Sequence, residues 1–464
     1  MSLAIMILYC SFAFFALLSM AVTQDQGYFW QLTDLHYDPW YTDYSRGSCN
    51  VNLTQLGQYG DFECDPPWSL VASAIGAMKQ LEDELGTPSD FILLSGDHSP
   101  HVKGAVLNES VMLNLVQNIT NELVKVLPNT LVLPVLGNHD YWPKNQHPAQ
   151  TNSMYQAYAD MWGRWINTPD AQETFRRAGY YALPLPGGGL AVSLNTNLDA
   201  NINAATAGHA DPGGQFEWLT NILSKARRDG EKVLLFLHIP TGAWTWAYDQ
   251  RNRGKWIRTA QNFVLMDVIR EYADVITASF SCHTHADTFG MYYDNGDPVH
   301  VTYISPSITP WRYGEGPAHN PALRKVVYSK TSFEVLEIQQ YYLDLKEANE
   351  NQNAVWKHAY KFTTLYNLAD MSPASLHGLL ERMKRTQSME FDRYYDMNTV
   401  NTDHYSIKKC DCTCKAKHLC SIEYINYADF DQCFARLEPC STPTSSGNRL
   451  VPLCWIVLVF LLKV

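Results

Sequence analysis

A layered α/β domain is the fold class that the sequence predicts, and three observations predict it. Short runs rich in Val, Ile, Leu and Phe recur along the chain, as buried strands do. Segments with apolar residues at three- and four-residue spacing lie between several of these runs, the mark of strand–helix alternation. The composition is that of a packed protein, with 46% hydrophobic and 18% charged residues in a chain of 464. That length suffices for one large domain or two ordinary ones, and the composition excludes a disordered chain, a collagen and a coiled coil.

The elements follow in order. The charge-free apolar run from Leu3 to Val22, with small Ser19 and Ala21 at its end, reads as a signal peptide over residues 1–23. Strands are predicted at Tyr28–Leu32, Phe91–Leu94, Leu131–Leu136, Leu190–Leu194, Val233–Leu237, Val275–Phe280 and Val301–Ile304. Helical patterns occupy Trp68–Glu84, Ser110–Val126 and Gln215–Arg228. Ser332–Leu345 reads as a late strand, paired antiparallel with Val301–Ile304. The main domain is thus expected over residues 24–363. Beyond it, residues 364–440 turn mostly helical, with Ser375–Lys384 amphipathic, and should pack on the main domain as an appendage.

Residues 441–448 are small and polar, and Leu450 to Leu462 are then almost wholly apolar. Those 13 residues fall short of the roughly 20 that span a bilayer. The pattern matches a GPI-attachment signal at Ser445, Ser446 or Gly447, which places the mature protein on the outer membrane leaflet; a secreted form is the alternative. Of 11 cysteines, Cys10 and Cys454 lie in the two removable segments. Cys49 and Cys64 would close a loop after the first strand. Cys410, Cys412, Cys414, Cys420, Cys433 and Cys440 crowd one stretch, which in an oxidising compartment implies a disulfide-stapled module rather than a zinc knuckle. The odd count leaves a thiol over, and Cys282 is the expected one. Sequons at Asn52, Asn108 and Asn118 fit the same secretory route.

The formal charge is −12, from 35 basic and 47 acidic side chains. Such a chain lacks the basic stripe that a nucleic-acid polymer requires. A small phosphate-bearing ligand is compatible with it, because a bound metal supplies positive charge locally.

Five predicted strands end in residues of metal-ligand type. The first runs into Asp34-Leu-His36, the second into Gly96-Asp97-His98 and the third into Gly137-Asn138-His139-Asp140. The strand at Val233–Leu237 runs into His238, and that at Val275–Phe280 into Cys282-His283-Thr-His285. Strand ends on one edge of an α/β sheet converge on a single crevice. Asp-x-His and His-x-His place two ligands on one side of an extended segment. Imidazoles with carboxylates suit zinc or a neighbouring first-row metal. One Asp can bridge two cations, and a pair of metals roughly 3.5–4 Å apart can activate water and clamp a phosphate. Gly96 would let the backbone turn sharply beside that bridge, and Gly137 would do the same for Asn138.

This ordered set resembles the calcineurin-like metallophosphoesterases. The fuller phrases Asp34-Leu-His-Tyr-Asp-Pro, Cys64-Asp-Pro-Pro-Trp68, Gly96-Asp-His-Ser-Pro-His101 and Gly137-Asn-His-Asp-Tyr-Trp-Pro-Lys-Asn-Gln146 resemble the acid sphingomyelinase-like phosphodiesterases. So do Asn195-Thr-Asn197, Asp211-Pro-Gly-Gly-Gln-Phe-Glu-Trp218 and Ser307-Ile-Thr-Pro-Trp311. The membrane-anchored 3b branch fits better than the secreted 3a branch, because of the apolar tail.

The resemblance implies a four-layer α/β/β/α sandwich with a helical, disulfide-rich C-terminal appendage. It implies two Zn²⁺ per chain. Asp34, His36, Asp97 and His285 would hold one, and Asp97, Asn138, His238 and His283 the other, with Asp97 bridging. It implies His139 as the acid for the leaving oxygen, His101 on the phosphate oxygens, and Asp140 orienting His139. It also implies the bridges Cys410–Cys414 and Cys420–Cys433, with Cys412 and Cys440 left to pair. Two departures stand out: His98 beside Asp97, and Cys282 where a glycine is usual, whether for a positive φ or for a tight approach.

The implied activity is hydrolysis of nucleotide-type phosphodiesters and phosphoanhydrides, such as ATP and CDP-choline. Sphingomyelin is less favoured, since the stretch between the expected cleavage point and Asp34 has no room for a saposin-like lipid-extracting domain. The chain is expected to be a monomer. The alternatives are a non-catalytic surface interaction protein with a vestigial metal site, which acts on receptors by binding alone, or a sphingomyelinase or phosphomonoesterase of the same superfamily.

Overall fold

The computed structural model describes residues 25–49, 56–102, 106–244, 254–312, 318–401 and 410–437. The expected signal peptide, the sequon at Asn52, Cys440 and the C-terminal attachment signal lie outside the described residues. Twelve strands are named in chain order: β1 (Gln26–Leu32), β2 (Phe91–Leu94), β3 (Leu131–Pro134), β4 (Tyr181–Pro184), β5 (Leu190–Ser193), β6 (Val233–Phe236), β7 (Ile276–Ser281), β8 (Thr288–Asp294), β9 (Asp297–Ile304), β10 (Ala322–Ser329), β11 (Val335–Leu343) and β12 (Trp356–Lys361). They form two six-stranded sheets, ordered β12-β11-β10-β1-β2-β3 and β4-β5-β6-β7-β9-β8.

The side-chain period of two builds the layers. In β6, Leu234 and Phe236 turn inward to the core shared by both sheets. Val233 and Leu235 turn outward to Leu219, Leu223, Leu265 and Ile269 of the helices Gln215–Asp229 and Thr259–Glu271. Between the sheets, Phe29 of β1 stacks on Phe91 of β2 at 4.6 Å and meets Phe280 of β7 edge-on at 5.1 Å. On the outer face of the first sheet, Trp30 donates its indole N–H to Glu82 at 3.0 Å. Glu82 belongs to the helix Trp68–Leu85, which ends where Gly86 adopts a left-handed C-cap of φ 63°. Helix, sheet, sheet, helix is the expected four-layer order.

The predicted strands are present with ends shifted by a few residues. The proposed pairing of the late strand is corrected: β11 pairs antiparallel with β10 and β12, whereas β9 pairs with β7 and β8 in the other sheet. The missing link was β10, whose Arg324 and Lys325 interrupt the apolar run yet are buried. Arg324 ties the two sheets together. Its guanidinium donates to the Ile304 carbonyl of β9 at 3.0 Å and to Asp287, just before β8, at 2.5 Å.

The C-terminal helices share the main core. Leu376, Leu379, Met383, Phe391, Tyr394, Leu419 and Ile422 pack in the same cluster as the strands. Disulfides Cys410–Cys414 and Cys420–Cys433 staple this region, and Cys49–Cys64 closes the early loop. Cys412 is also disulfide-bonded, and Cys282 is a buried free thiol.

The Arg324–Asp287 pair yields a stability prediction. Arg324→Met should destabilise the fold by about 3–5 kcal/mol in urea denaturation, since it leaves a carboxylate buried without its partner. Adding Asp287→Asn should recover part of that loss; a double variant no better than the single one would show that the ion pair is not what joins the sheets.

Candidate active site

The parallel strands β1, β2 and β3 in one sheet and β6 and β7 in the other end at a common edge. Their loops continue the ladder past the strand ends. Asp34 N–H donates to the Gly96 carbonyl at 3.0 Å, His36 N–H to the Asp97 carbonyl at 2.9 Å, and Cys282 N–H to the His238 carbonyl at 3.1 Å. The five loops thereby bring Asp34, His36, Asp97, Asn138, His139, His238, His283 and His285 together.

The local backbone is unusual. Asp34, His36, Asp97, His283 and His285 all have positive φ, between 43° and 72°. This corrects the extended reading of the Asp-x-His and His-x-His pairs, since β1 ends at Leu32 and β7 at Ser281. Left-handed residues alternate with Leu35 and Thr284 instead. Non-glycine residues rarely adopt such φ, and clusters of them belong to functional sites whose surroundings hold them in place. Cys282 is not among the positive-φ residues, so it stands without strain where glycine was expected. Gly96 does have φ 97°, but Gly137 does not. Gly137 is needed for close approach, because a Cβ there would collide with the Asp97 backbone and carboxylate.

The donor atoms form two sets around Asp97. Asp34, His36 and His285 offer one group of mutually close ligand atoms, and Asp97, His238 and His283 another, each within 4.8 Å. Asp97 Oδ2 lies 3.5 Å from His36 Nε2 and 3.3 Å from His238 Nε2, so it faces both. Asn138 Oδ1 is 3.1 Å from His238 Nε2. Carbonyls fix two ring orientations: Ser99 O meets His36 Nδ1 and Ser95 O meets His238 Nδ1, each at 2.8 Å. Such partners leave Nε2 free for a metal. Asp34 Oδ1, His36 Nε2 and both ring nitrogens of His283 are buried without a hydrogen bond. Buried polar atoms are rarely left so, and the donor chemistry fits divalent metal ions.

The electrostatics agree in part. Burial pushes the imidazoles of His36 and His283 well below their usual range, so they stay neutral and able to ligate. Burial acts the same way on His238, but the Asp97 carboxylate and Cys282 outweigh it and hold that imidazole well above its usual range. Burial works to raise the Asp34 carboxyl, but His285 and its neighbours bring it down to about 2.

Asp140 departs from its expected role. Its carboxylate does not reach His139. It accepts the backbone N–H groups of Asp97 at 2.9 Å, His98 at 2.8 Å and Gly137 at 2.8 Å, and lies 2.9 Å from His98 Nδ1. With three backbone donors on its carboxylate it acts as a clasp between the loops after β2 and β3. His98 accordingly turns away from the donor sets, toward Asp140 and Trp162. Cys282 Sγ lies 3.0 Å from the Ser95 carbonyl and 3.2 Å from His238 Nδ1, behind the nitrogen that faces Asp97.

His139 and His101 both reach the cleft, with ring centroids 4.3 Å apart. The residue that orients His101 was missed in the sequence: buried Asp65 accepts from its Nδ1 at 3.0 Å and also from its backbone N–H. Trp311 stacks on the other side of His101 at 4.1 Å. The only signal was that Asp65 and Trp311 sit in the Cys64-Asp-Pro-Pro-Trp68 and Ser307–Trp311 phrases. The cleft measures about 280 Å³, and Lys144, Asn145, Trp256 and His319 complete its wall. Asn108 and Asn118 are exposed, while the Asn108 side chain caps the helix Glu109–Val126.

Comparisons with known proteins define the class. Residues 27–287 match the model of the calcineurin-like phosphoesterases, and residues 297–439 that of the acid sphingomyelin phosphodiesterase C-terminal region. The chain belongs to the acid sphingomyelinase-like phosphodiesterases of the calcineurin-like phosphoesterase family. It is 36% identical to acid sphingomyelinase-like phosphodiesterase 3b of Mus musculus, over 94% of each chain. It is 34% identical to cyclic GMP-AMP phosphodiesterase SMPDL3A of Homo sapiens, over 89% of this chain and 90% of that one. Sphingomyelin phosphodiesterase A of Dictyostelium discoideum is 30% identical, over 88% of this chain and 68% of its own.

The clasp leads to a test. Asp140→Ala strands three buried backbone donors, each costing about 1–3 kcal/mol. The variant should show a lowered melting temperature together with lost metal content. A stable, metal-replete variant that is merely slow would instead restore Asp140 as a partner of His139.

Proposed function

We propose that this chain is a dinuclear zinc phosphodiesterase at the outer cell surface, acting on nucleotide-type substrates. The observation that carries this is the pair of donor sets sharing Asp97, with buried ligand atoms that have no other partner. One zinc ion would be held by Asp34, His36, Asp97 and His285, and the other by Asp97, Asn138, His238 and His283. Two ions there supply Lewis acidity toward a phosphate oxygen and lower the pKa of water.

The chain's own residues do the rest. His101, with Nδ1 held by Asp65, presents Nε2 to a non-bridging phosphate oxygen. His139, whose imidazole pairs with no carboxylate, carries a proton to the leaving oxygen. Trp311 and Trp256 give the cleft aromatic walls suited to a base or other flat group. One relative's name, cyclic GMP-AMP phosphodiesterase, adds cyclic dinucleotides to ATP and CDP-choline as substrates to try.

The surface location rests on the sequence: the N-terminal leader, the apolar tail after Ser445–Gly447, and the sequons at Asn52, Asn108 and Asn118. Among the described residues no helix is long and apolar enough to cross a membrane. A bacterial phosphatidylinositol-specific phospholipase C should therefore release the protein from cells. Retention while a known anchored control is released would refute the lipid anchor.

The decisive experiment is metal analysis of the purified ectodomain with hydrolysis assays. The panel is ATP, CDP-choline, cyclic GMP-AMP, bis-p-nitrophenyl phosphate and sphingomyelin. Asp97→Asn should lose most bound zinc and activity together. His139→Ala should keep its zinc and lose about 10²–10⁴-fold in rate. That loss should be smaller for p-nitrophenolate, which needs little protonation on leaving; equal losses on good and poor leaving groups would remove the acid role. A zinc-free wild type inert on the whole panel would turn the reading toward a surface protein that acts by binding alone.

A further inference from the structure

Lys144 is the one ammonium or guanidinium group among the described residues that line the cleft. Among those residues no carboxylate forms an ion pair with it. Other lysines and arginines among the described residues do have one, such as Lys255 with Asp431 and Arg312 with Glu63. Burial lowers the Lys144 ammonium below its usual range and the Asp97 and Asp65 carboxylates offset this only in part, so the half-buried cation lacks a direct partner.

Its placement follows from the turn that carries it. Asn145 N–H donates to the Asn138 carbonyl at 2.9 Å, and Asn138 Nδ2 donates to Asn145 Oδ1 at 2.8 Å. Gln146 N–H closes the turn on the Pro143 carbonyl at 3.0 Å. The turn is thus bonded back onto a predicted ligand, and Lys144 projects from it into the same cleft. Asp97 on the cleft floor is 1% exposed, whereas Lys144 lines the same cleft and is half-buried.

We infer that Lys144 binds a second phosphate group of the substrate, next to the one being cleaved, and so selects pyrophosphate-linked substrates over isolated diesters. This rests on the phosphodiesterase reading above. A simple diester carries one negative charge, which the metal-bearing floor and His101 can meet. A phosphoanhydride brings further charge into the cleft, where Lys144 is the available cation. A lysine ammonium, a compact point charge on a flexible stem, suits a phosphate whose position varies among substrates.

The test compares wild type, Lys144→Gln and Lys144→Arg on ATP and CDP-choline against bis-p-nitrophenyl phosphate. The selectivity ratio of kcat/KM, anhydride over simple diester, should fall by about 10–100-fold in Lys144→Gln, the size of one hydrogen bond to a charged group. The change should lie mainly in KM, and Lys144→Arg should restore most of it. Titration calorimetry with inorganic pyrophosphate and inorganic phosphate gives a readout without turnover: Lys144→Gln should lose affinity for pyrophosphate by more than for phosphate. An unchanged ratio in both assays, or equal losses on all ligands, would overturn the inference. If wild type cleaved nothing, the phosphodiesterase reading would fail, and the calorimetric comparison would still decide whether Lys144 grips a second phosphate.

Discussion

The site depends on one buried carboxylate. Asp140 gathers the amides of Asp97, His98 and Gly137, and so locks the loop after β2 to the loop after β3. These bonds help hold Asp97 at its left-handed φ of 54°, from which Oδ2 faces both donor sets. Asp97 Oδ1 in turn accepts the His139 N–H at 2.8 Å, which sets where that imidazole stands. A charged acceptor with several N–H donors is worth more than neutral hydrogen bonds, and burial makes each one costly to leave unmade. The positions of the Asp97 carboxylate and the His139 ring are inherited from this clasp.

Much of this was legible in the sequence. Apolar runs ending in Asp, Asn and His announced the strands and the ligands together, because parallel strands deliver their C-terminal ends to one edge. What was hidden was hidden for physical reasons. Asp65 orients His101 from a loop that is distant in sequence and closed by the Cys49–Cys64 bridge, so no spacing connects them. Strand β10 was invisible because Arg324 and Lys325 read as exposed charge, whereas Arg324 is buried by its contacts with Asp287, Ile304 and Gln340. Once β10 was missed, β11 had no neighbour and was assigned to the wrong sheet.

The two positions that departed from the family pattern illustrate how context decides. His98 would be disruptive if it faced the donor sets, yet the Asp140 carboxylate draws it to the far side. Cys282 would be strained if its φ were positive, yet the left-handed turn begins one residue later, at His283. The adjacent sequence raised both questions, and only the three-dimensional neighbours answer them.

The candidate ligands are drawn from both sheets: Asp34, His36, Asp97 and Asn138 follow strands of one, while His238, His283 and His285 follow strands of the other. No complete donor set for two ions exists until the sheets have docked. Occupancy therefore works as a gauge of assembly, since any ion bound tightly by the native arrangement favours that arrangement by mass action. A substitution in the aromatic layer of Phe29, Phe91 and Phe280, which packs sheet against sheet, would then weaken ion binding along with the fold.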